Sequence, residues 1–203
     1  MEPCSFPFSK EEKEKLELYS CLIKSWQKKF NLVGASTLES IWERHIIDSA
    51  QLYNLLPRVQ AGKVLCDIGS GAGFPGMVLA IMGRKDLVLC ESNKKKCIFL
   101  EEVKHKTNSN VIIANIRAES LPLRTASAVI ARAVSSLSAL LEMSLPLLSN
   151  KGICIFPKGI NWKKELLFAP KRFHIDYKLV NSITSKESNI IIIKNFEKIN
   201  DYK

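Results

Sequence analysis

Apolar residues recur at helical spacing within the first thirty positions of the chain. They are Leu16, Tyr19, Ile23, Trp26 and Phe30. Ser9 and Glu12, just before them, have the spacing of a capping box, which marks the start of a helix. The pattern predicts one amphipathic helix over residues 10–30, followed by a break.

A second helical pattern follows this break. Ser36 and Glu39 repeat the capping-box spacing, and the periodic apolar positions after them predict a helix that runs to Leu55. Pro57 ends it, because proline cannot continue a helix. Residues 1–60 are therefore predicted to form an N-terminal helical cap.

Beyond residue 60 the pattern changes to short apolar runs separated by helix-like segments. The runs are VLCDI, LVLCE, NVIIAN, SAVIARA and GICIFP, and the candidate helices cover residues 75–83, 94–106 and 137–148. This alternation is typical of an α/β fold with a mostly parallel, doubly wound sheet. The tail runs RFHIDYKLV and NIIIIKNF flank a polar turn, which predicts an antiparallel hairpin at the sheet edge. We expect residues 61–203 to form one compact domain.

Composition narrows the class of protein. The chain has 203 residues, of which 46% are apolar and 25% charged, close to the globular average. Its six cysteines form no C-x-x-C pair, and its longest apolar runs are far too short to cross a bilayer. We therefore expect a reduced, soluble, cytoplasmic protein. No cluster of metal-ligating residues is evident, and the default expectation is a monomer.

Positive charge is concentrated behind the cap. The net charge of +10 divides into −1 for residues 1–50 and +11 for residues 51–203. A basic body of this size indicates a polyanionic partner such as nucleic acid, although excess charge can also serve solubility alone.

The stretch CDIGSGAGFPG, residues 66–76, follows the first predicted strand. Ligands of such sheets bind beyond the carboxyl ends of the strands, where this loop lies. Gly69, Gly71 and Gly73 can take positive φ and let a ligand approach the backbone. Glycines that only make a tight turn are the simpler alternative.

Two classes of ligand use a loop of this kind. Gly71, Gly73 and Gly76 formally satisfy the dinucleotide pattern G-x-G-x-x-G. S-adenosylmethionine is the other class, and it is cationic and lacks a pyrophosphate. Asp67, two residues before Gly69, would repel a pyrophosphate and suit a cation. This favours the methyl donor over NAD(P).

Glu91 is the last residue of the second predicted strand and its only acidic one. A carboxylate there could accept hydrogen bonds from both ribose hydroxyls of a nucleoside. The alternative is that Glu91 caps the next helix.

Several motifs together, in order, resemble the RsmG (GidB) family of small-subunit rRNA guanine-N7 methyltransferases. They are FNLVG, WERHIIDS, DIGSGAGFPG, ESNKKKCIFLEEV, RAES, ARAVSSL and FPKG. The resemblance covers roughly residues 20–160. It implies a class I methyltransferase sheet that uses S-adenosylmethionine to methylate N7 of one guanine in 16S rRNA or the small ribosomal subunit. Carried over by position, it implies cofactor contacts from Gly69, Phe74, Ala118, Glu119 and Arg132.

The implied chemistry needs no general base, because guanine N7 already carries a lone pair. We therefore predict no catalytic acid or base, and a rate that comes from positioning. His45 and Asp48 have the spacing of a catalytic pair, but an ion pair or hydrogen bond that anchors the cap is the favoured alternative. Arg132, at the end of the fourth strand, should meet a carboxylate, a phosphate or the target base. Glu119 is its alternative partner.

Lysines near the same rim are the candidates for rRNA contact. Lys94, Lys95 and Lys96 stand at the start of a predicted helix, where the helix dipole disfavours cations. We predict that they, and Lys158, contact rRNA phosphates; the alternative is that they are simply solvated. Two other functions stay open from the residues alone: an NAD(P)-dependent oxidoreductase, and a noncatalytic RNA-binding or ribosome assembly factor.

Overall fold

A seven-stranded sheet with the order β3-β2-β1-β4-β5-β7-β6 lies at the centre of the fold. It is seen in a computed structural model that describes residues 6–121, 124–169 and 172–199. The strands are β1 (Val64–Ile68), β2 (Leu87–Cys90), β3 (Ile112–Ala114), β4 (Ala126–Ile130), β5 (Leu148–Lys158), β6 (Phe173–Asn181) and β7 (Asn189–Lys198). Strands β1 to β5 are parallel, and β7 runs antiparallel to β5 and β6. The predicted α/β sheet and its terminal hairpin are confirmed.

Helices cover both faces of this sheet. They are α1 (Lys10–Gln27), a π-helix (Trp42–Ile47) that continues into α2 (Asp48–Ala50), α3 (Gly76–Ile81), α4 (Lys94–Thr107), α5 (Leu137–Ser144) and α6 (Trp162–Phe168). Along β1, Leu65 belongs to one buried apolar cluster and Cys66 to a second on the opposite face. Burial on both faces explains why the inner strands read as continuous apolar runs.

The cap helix α1 packs into the same apolar cluster as the sheet. The predicted capping box is present: Ser9 Oγ accepts from Glu12 N at 3.2 Å, and Glu12 Oε2 accepts from Ser9 N at 2.7 Å. The buried face of α1 includes Tyr19, whose ring lies 5.3 Å from that of Phe74 in the glycine loop. The hydroxyl of Tyr19 also donates to the carbonyl of Ala72. The first helix of the cap therefore supports the loop directly.

The second predicted capping box is wrong. Ser36 lies inside a short 3-10 helix, Ala35–Thr37, so it does not occupy the N-cap of a longer helix. The next helix begins at Trp42 behind Ile41, without a side-chain cap, and has π geometry as far as Ile47. Instead of one helix to Leu55, the chain makes four short elements, of which the last is a 3-10 helix, Tyr53–Leu55.

Two further features complete the fold. Helix α6 was not predicted, because seven residues give too little periodicity to separate a helix from a loop. Cys21, Cys66, Cys90, Cys97 and Cys154 are free thiols; Cys4 lies outside the described residues. Within the described ranges, no helix has the length and apolar content that a bilayer crossing requires.

Candidate active site

The glycine loop rests on the carboxyl end of β2. The N–H groups of Gly69 and Ser70 both donate to the carbonyl of Cys90, at 2.8 and 3.1 Å. Gly71 N donates to Glu91 Oε2 at 2.9 Å. Gly69 and Gly71 have φ of +65° and +59°, values that residues other than glycine rarely adopt. The loop is thus held by its own backbone.

Glu91 is the acidic residue to which the glycine loop is hydrogen-bonded. Its Oε1 accepts from Asn93 N at 2.7 Å, and Oε2 accepts from Gly71 N. Asn93, whose side chain accepts from Lys95 N and Lys96 N, is the N-cap of α4, so the alternative role of Glu91 as that cap is wrong. An ionised carboxylate has about four acceptor sites, and two of those on Glu91 are free of protein partners in the described part of the chain.

Asp67 does not face a ligand. Its side chain is fully buried, and Oδ2 accepts from Gly76 N at 2.9 Å, at the start of α3. Among the described residues, Oδ1 is the buried side-chain oxygen that has no hydrogen-bond partner. Burial raises the pKa of Asp67 to about 7. The expectation that its charge selects a cationic ligand is therefore wrong, because the carboxyl group is buried in the core and is hydrogen-bonded to the start of α3.

Phe74 is also buried, with 4% of its surface exposed. Its ring stacks on His45 at 4.8 Å between centroids and lies under the guanidinium of Arg132 at 5.1 Å. The side chain therefore joins the loop to the cap. Ala118 is buried and Glu119 is exposed in a 3-10 turn, Ala118–Ser120, that follows β3.

The loop presents a partly exposed backbone beside Glu91. A Cβ built on Gly71 would make only ordinary contacts, with Gly69 O at 3.8 Å and Lys96 Nζ at 4.0 Å. A bare backbone next to a carboxylate with free acceptor sites fits the nucleoside part of S-adenosylmethionine. Gly69, Gly71 and Glu91 are brought together here as the sequence predicts, and Lys96 lies beside Gly71.

Arg132 lies just beyond β4 and binds the cap. Its Nη1 donates to Asp48 Oδ2 at 3.1 Å and to the carbonyl of Arg44 at 2.8 Å, and Nη2 donates to His45 Nδ1. Its carboxylate partner is Asp48, not Glu119. The predicted anchoring contact of His45 and Asp48 therefore runs to Arg132.

Both ring nitrogens of His45 are engaged. Because Nδ1 accepts from Arg132, Nε2 carries the proton and donates to Thr37 Oγ1 at 2.8 Å. Burial, together with the charges of Arg132 and Arg44, lowers the pKa of His45 to about 3. A neutral imidazole with both nitrogens occupied cannot serve as a base near neutral pH.

A cavity of about 340 Å³, lined mostly by polar and charged residues, opens on the other side of Arg132. Lys158 lines it, but it is buried rather than solvated: its Nζ donates to Ser135 O and to Glu165 Oε2, both at 2.8 Å. This corrects the expectation of a surface lysine free to meet a phosphate. The sequence did not single out Glu165, because it lies in the short helix α6, beyond the last recognised motif, FPKG.

Lys94, Lys95 and Lys96 occupy the first turn of α4, as predicted. Lys94 and Lys95 are exposed and Lys96 is half-buried. None of the three forms an ion pair with a described acidic residue.

Comparison with known proteins assigns this arrangement to a family. The model of the GidB family, described as rRNA small subunit methyltransferase G, matches residues 12–194. The chain belongs to this family. Ribosomal RNA small subunit methyltransferase G of Rhodospirillum centenum is 46% identical over 162 residues, 80% of this chain and 74% of that protein. Its counterpart in Paramagnetospirillum magneticum is 43% identical over 176 residues, 87% of this chain and 85% of that protein.

Solved structures agree with the GidB assignment at the level of the fold. M. jannaschii TYW2, solved in complex with AdoMet, superposes with a TM-score of 0.56 at 18% identity, over 76% of each chain. The ribosomal protein L11 methylase of Lactobacillus delbrueckii subsp. bulgaricus superposes with a TM-score of 0.54 at 18% identity, over 71% of this chain and 77% of that one. The fold is that of S-adenosylmethionine-dependent methyltransferases.

Proposed function

We propose that this GidB-family protein transfers the methyl group of S-adenosylmethionine to N7 of a guanine in small-subunit rRNA. The observation that carries the proposal is the contact of Glu91 with the loop. Its carboxylate accepts from Gly71 N–H at 2.9 Å, beside a loop backbone that carries no side chain at Gly71. This is where a nucleoside cofactor of the fold would present its ribose to free acceptor sites.

The bound cofactor would supply an electrophilic methyl group. Gly69 and Gly71 would let its nucleoside approach the backbone, and Glu91 would bind its ribose hydroxyls. Ala118 and Glu119 are proposed to border the same cofactor. Phe74 and Arg132 act differently: their contacts hold the loop and the cap together, which fixes the shape of the crevice.

The protein would gain its rate by orientation. Guanine N7 attacks the methyl carbon without losing a proton, and holding the two reactants in line can be worth roughly 7–11 kcal/mol of barrier. His45 supports this mechanism, because neither of its nitrogens is free and its pKa is lowered to about 3. We expect no activity limb near neutral pH that belongs to His45.

The test is methyl transfer to small ribosomal subunits from cells that lack the gene. Purified protein and radiolabelled S-adenosylmethionine should label one guanine, recovered as 7-methylguanine by mass spectrometry of the nucleosides. A folded protein that binds the cofactor but leaves no 7-methylguanine would refute the proposal. An unlabelled subunit together with no cofactor uptake would favour a noncatalytic assembly factor.

Glu91→Gln tests the cofactor contact itself. The amide oxygen can accept from only one of the N–H groups of Gly71 and Asn93, and the NH2 then faces the other. We therefore expect the Kd for S-adenosylmethionine to rise about tenfold or more. Glu101→Gln is the matched control, an exposed glutamate on α4. Calorimetric titration should show an unchanged Kd for the control; an unchanged Kd for Glu91→Gln would remove Glu91 from the site.

A further inference from the structure

The cavity beside Arg132 shares a wall with the glycine loop. Val134 presses on Gly69, since a Cβ built there would lie 2.7 Å from Val134 Cγ2. The next residue, Ser135, holds Lys158 Nζ through its carbonyl at 2.8 Å. The segment after β4 therefore touches the proposed cofactor loop and lines the cavity at the same time. A ligand in this cavity would therefore lie close to the proposed cofactor loop.

An ion pair between a buried lysine and a half-buried glutamate forms the floor of the cavity. Lys158 Nζ lies 2.8 Å from Glu165 Oε2, and the two side chains are 8% and 25% exposed. Glu165 Oε2 also accepts from Leu137 N at 2.7 Å, at the start of α5. One ammonium N–H of Lys158 and the whole of Glu165 Oε1 have no hydrogen-bond partner among the described residues. The floor thus offers one donor beside one acceptor.

The paired charges at the floor of the cavity disfavour an anion. Arg132 and Lys158 are already paired with Asp48 and Glu165, and His45 is held neutral. Arg44 also lines the cavity, but its side chain is exposed to solvent. A phosphate would have to compete with both carboxylates at short range. A neutral ligand that carries an acceptor and a donor side by side matches the floor without breaking either ion pair.

We propose that this cavity binds the target guanine by its Watson–Crick edge, with Lys158 Nζ donating to O6 and Glu165 Oε1 accepting from N1–H and the 2-amino group. The inference rests on the proposed function and names the base-recognition site within it. Adenine presents a donor where guanine has O6 and an acceptor at N1, so it would oppose the floor at both positions.

The same contact would assist the transfer. The N7 lone pair forms the new bond to the methyl carbon while the carbon–sulfur bonding pair stays on sulfur. The positive charge passes from sulfonium to the purine, and no proton leaves. Since the N1–H becomes more acidic as the ring gains charge, its hydrogen bond to the Glu165 carboxylate strengthens in the transition state.

The first test changes the base and leaves the protein intact. Small subunits would be reconstituted with guanine, inosine, 2-aminopurine or 7-deazaguanine at the mapped target position, and kcat/KM for methyl transfer measured. 2-Aminopurine lacks O6 and N1–H and should lose roughly 100-fold or more. Inosine lacks only the 2-amino group and should lose about tenfold. The 7-deazaguanine subunit, which has no N7, sets the background.

The second test changes the acceptor. In Glu165→Gln, Leu137 N and Lys158 Nζ both donate to the Oε2 position, so the amide oxygen must lie there. The amide NH2 then takes the Oε1 position, facing the base. We expect kcat/KM on small subunits to fall about 100-fold, with an unchanged Kd for S-adenosylmethionine. Glu17→Gln, the same change on the exposed face of α1, should leave both quantities at wild-type values.

The outcomes separate the two proposals. Wild-type protein that labels no guanine refutes the proposed function and this site with it. Wild-type protein that labels guanine, and labels 2-aminopurine within threefold of it, overturns the base-recognition site alone. Wild-type activity of Glu165→Gln does the same. Should that variant fail to fold, the base series decides without it.

Discussion

The two halves of the crevice are held together by different kinds of interaction. At the ends of β1 and β2, backbone groups do the binding: the loop N–H groups meet the carbonyl of Cys90 and the carboxylate of Glu91. At the ends of β4 and β5, paired side chains do it, namely Arg132 with Asp48 and Lys158 with Glu165. The first half is built from neighbouring strands, whereas the second joins the cap, α6 and the sheet.

Because of this difference, the two halves should be sensitive to different kinds of substitution. The backbone half leaves no space for added atoms beneath the loop, so it should be most sensitive to volume. The side-chain half depends on compensated charge, so it should be most sensitive to the loss of one partner.

The largest effect is expected from Gly73→Ala in the backbone half. Gly73 has φ +98°, and a Cβ there would meet the Tyr19 hydroxyl oxygen at 2.7 Å and Met77 Cβ at 2.8 Å. Strained φ costs about 1–2 kcal/mol and overpacking adds about 1–3 kcal/mol. We expect urea denaturation to show a loss of about 2–5 kcal/mol in the free energy of unfolding.

Gly83→Ala is the control for that loss. Gly83 has a similar φ, +93°, but no atom lies within 4 Å of its built Cβ. It should lose only the backbone part, about 1–2 kcal/mol. Equal losses in the two variants would show that packing under the loop is not tight.

Arg132→Met should have the next largest effect, in the side-chain half. It leaves the mostly buried Asp48 carboxylate without its cation, and we expect a loss of about 2–3 kcal/mol in the free energy of unfolding. A double-mutant cycle with Asp48→Asn should give a coupling energy of at least about 1 kcal/mol. The more exposed pair Arg172–Glu142 should couple by less than about 0.5 kcal/mol. A coupling for Arg132–Asp48 no larger than this would contradict a structural role for the ion pair.

The same contrast explains which features could be predicted from sequence. The strands, the glycine loop and Glu91 are local patterns, in which spacing alone fixes neighbours along the chain. The partner of Arg132 lies 84 residues away, and packing of the cap selects Asp48 over Glu119. The direction of the Asp67 side chain was also out of reach, because alternation along a doubly buried strand does not tell which interior face is nearer the ligand.

Asp67→Asn should have a smaller, pH-dependent effect in the backbone half. Burial raises the pKa of Asp67 from 3.8 to about 7, so the folded protein holds a proton that the unfolded chain releases. The stabilisation from this proton is fully present below pH 4 and is lost as the pH rises to about 7. Asparagine keeps an acceptor for Gly76 N and has no such loss. The stability of the variant relative to wild type should therefore rise by about 1 kcal/mol per pH unit between pH 5 and 7.

The stability of the variant must be compared with that of wild type at each pH, since the titration of His45 changes stability with pH in the opposite direction. The pKa of His45 is lowered from 6.5 to about 3, so its contribution to stability is lost as the pH falls below 6.5. The difference between the two proteins cancels the contribution of His45. A difference that does not change between pH 5 and 7 would mean that Asp67 is ionised in the folded protein.

The smallest effect is expected outside both halves, at the first turn of α4. Lys94 and Lys95 are exposed there without an acidic partner among the described residues, and each proposed phosphate contact should contribute about 1 to the slope of log affinity against log salt. The double variant Lys94→Gln/Lys95→Gln should lower that slope by about 2 in filter-binding titrations of small subunits. Lys10→Gln/Lys13→Gln removes the same charge from α1, where each lysine faces a glutamate. Long-range attraction depends on the net charge of the protein, whereas counterion release depends on direct contact with phosphates. An equal change of the salt slope in the two double variants would therefore assign the lysines of α4 to solubility instead of rRNA binding.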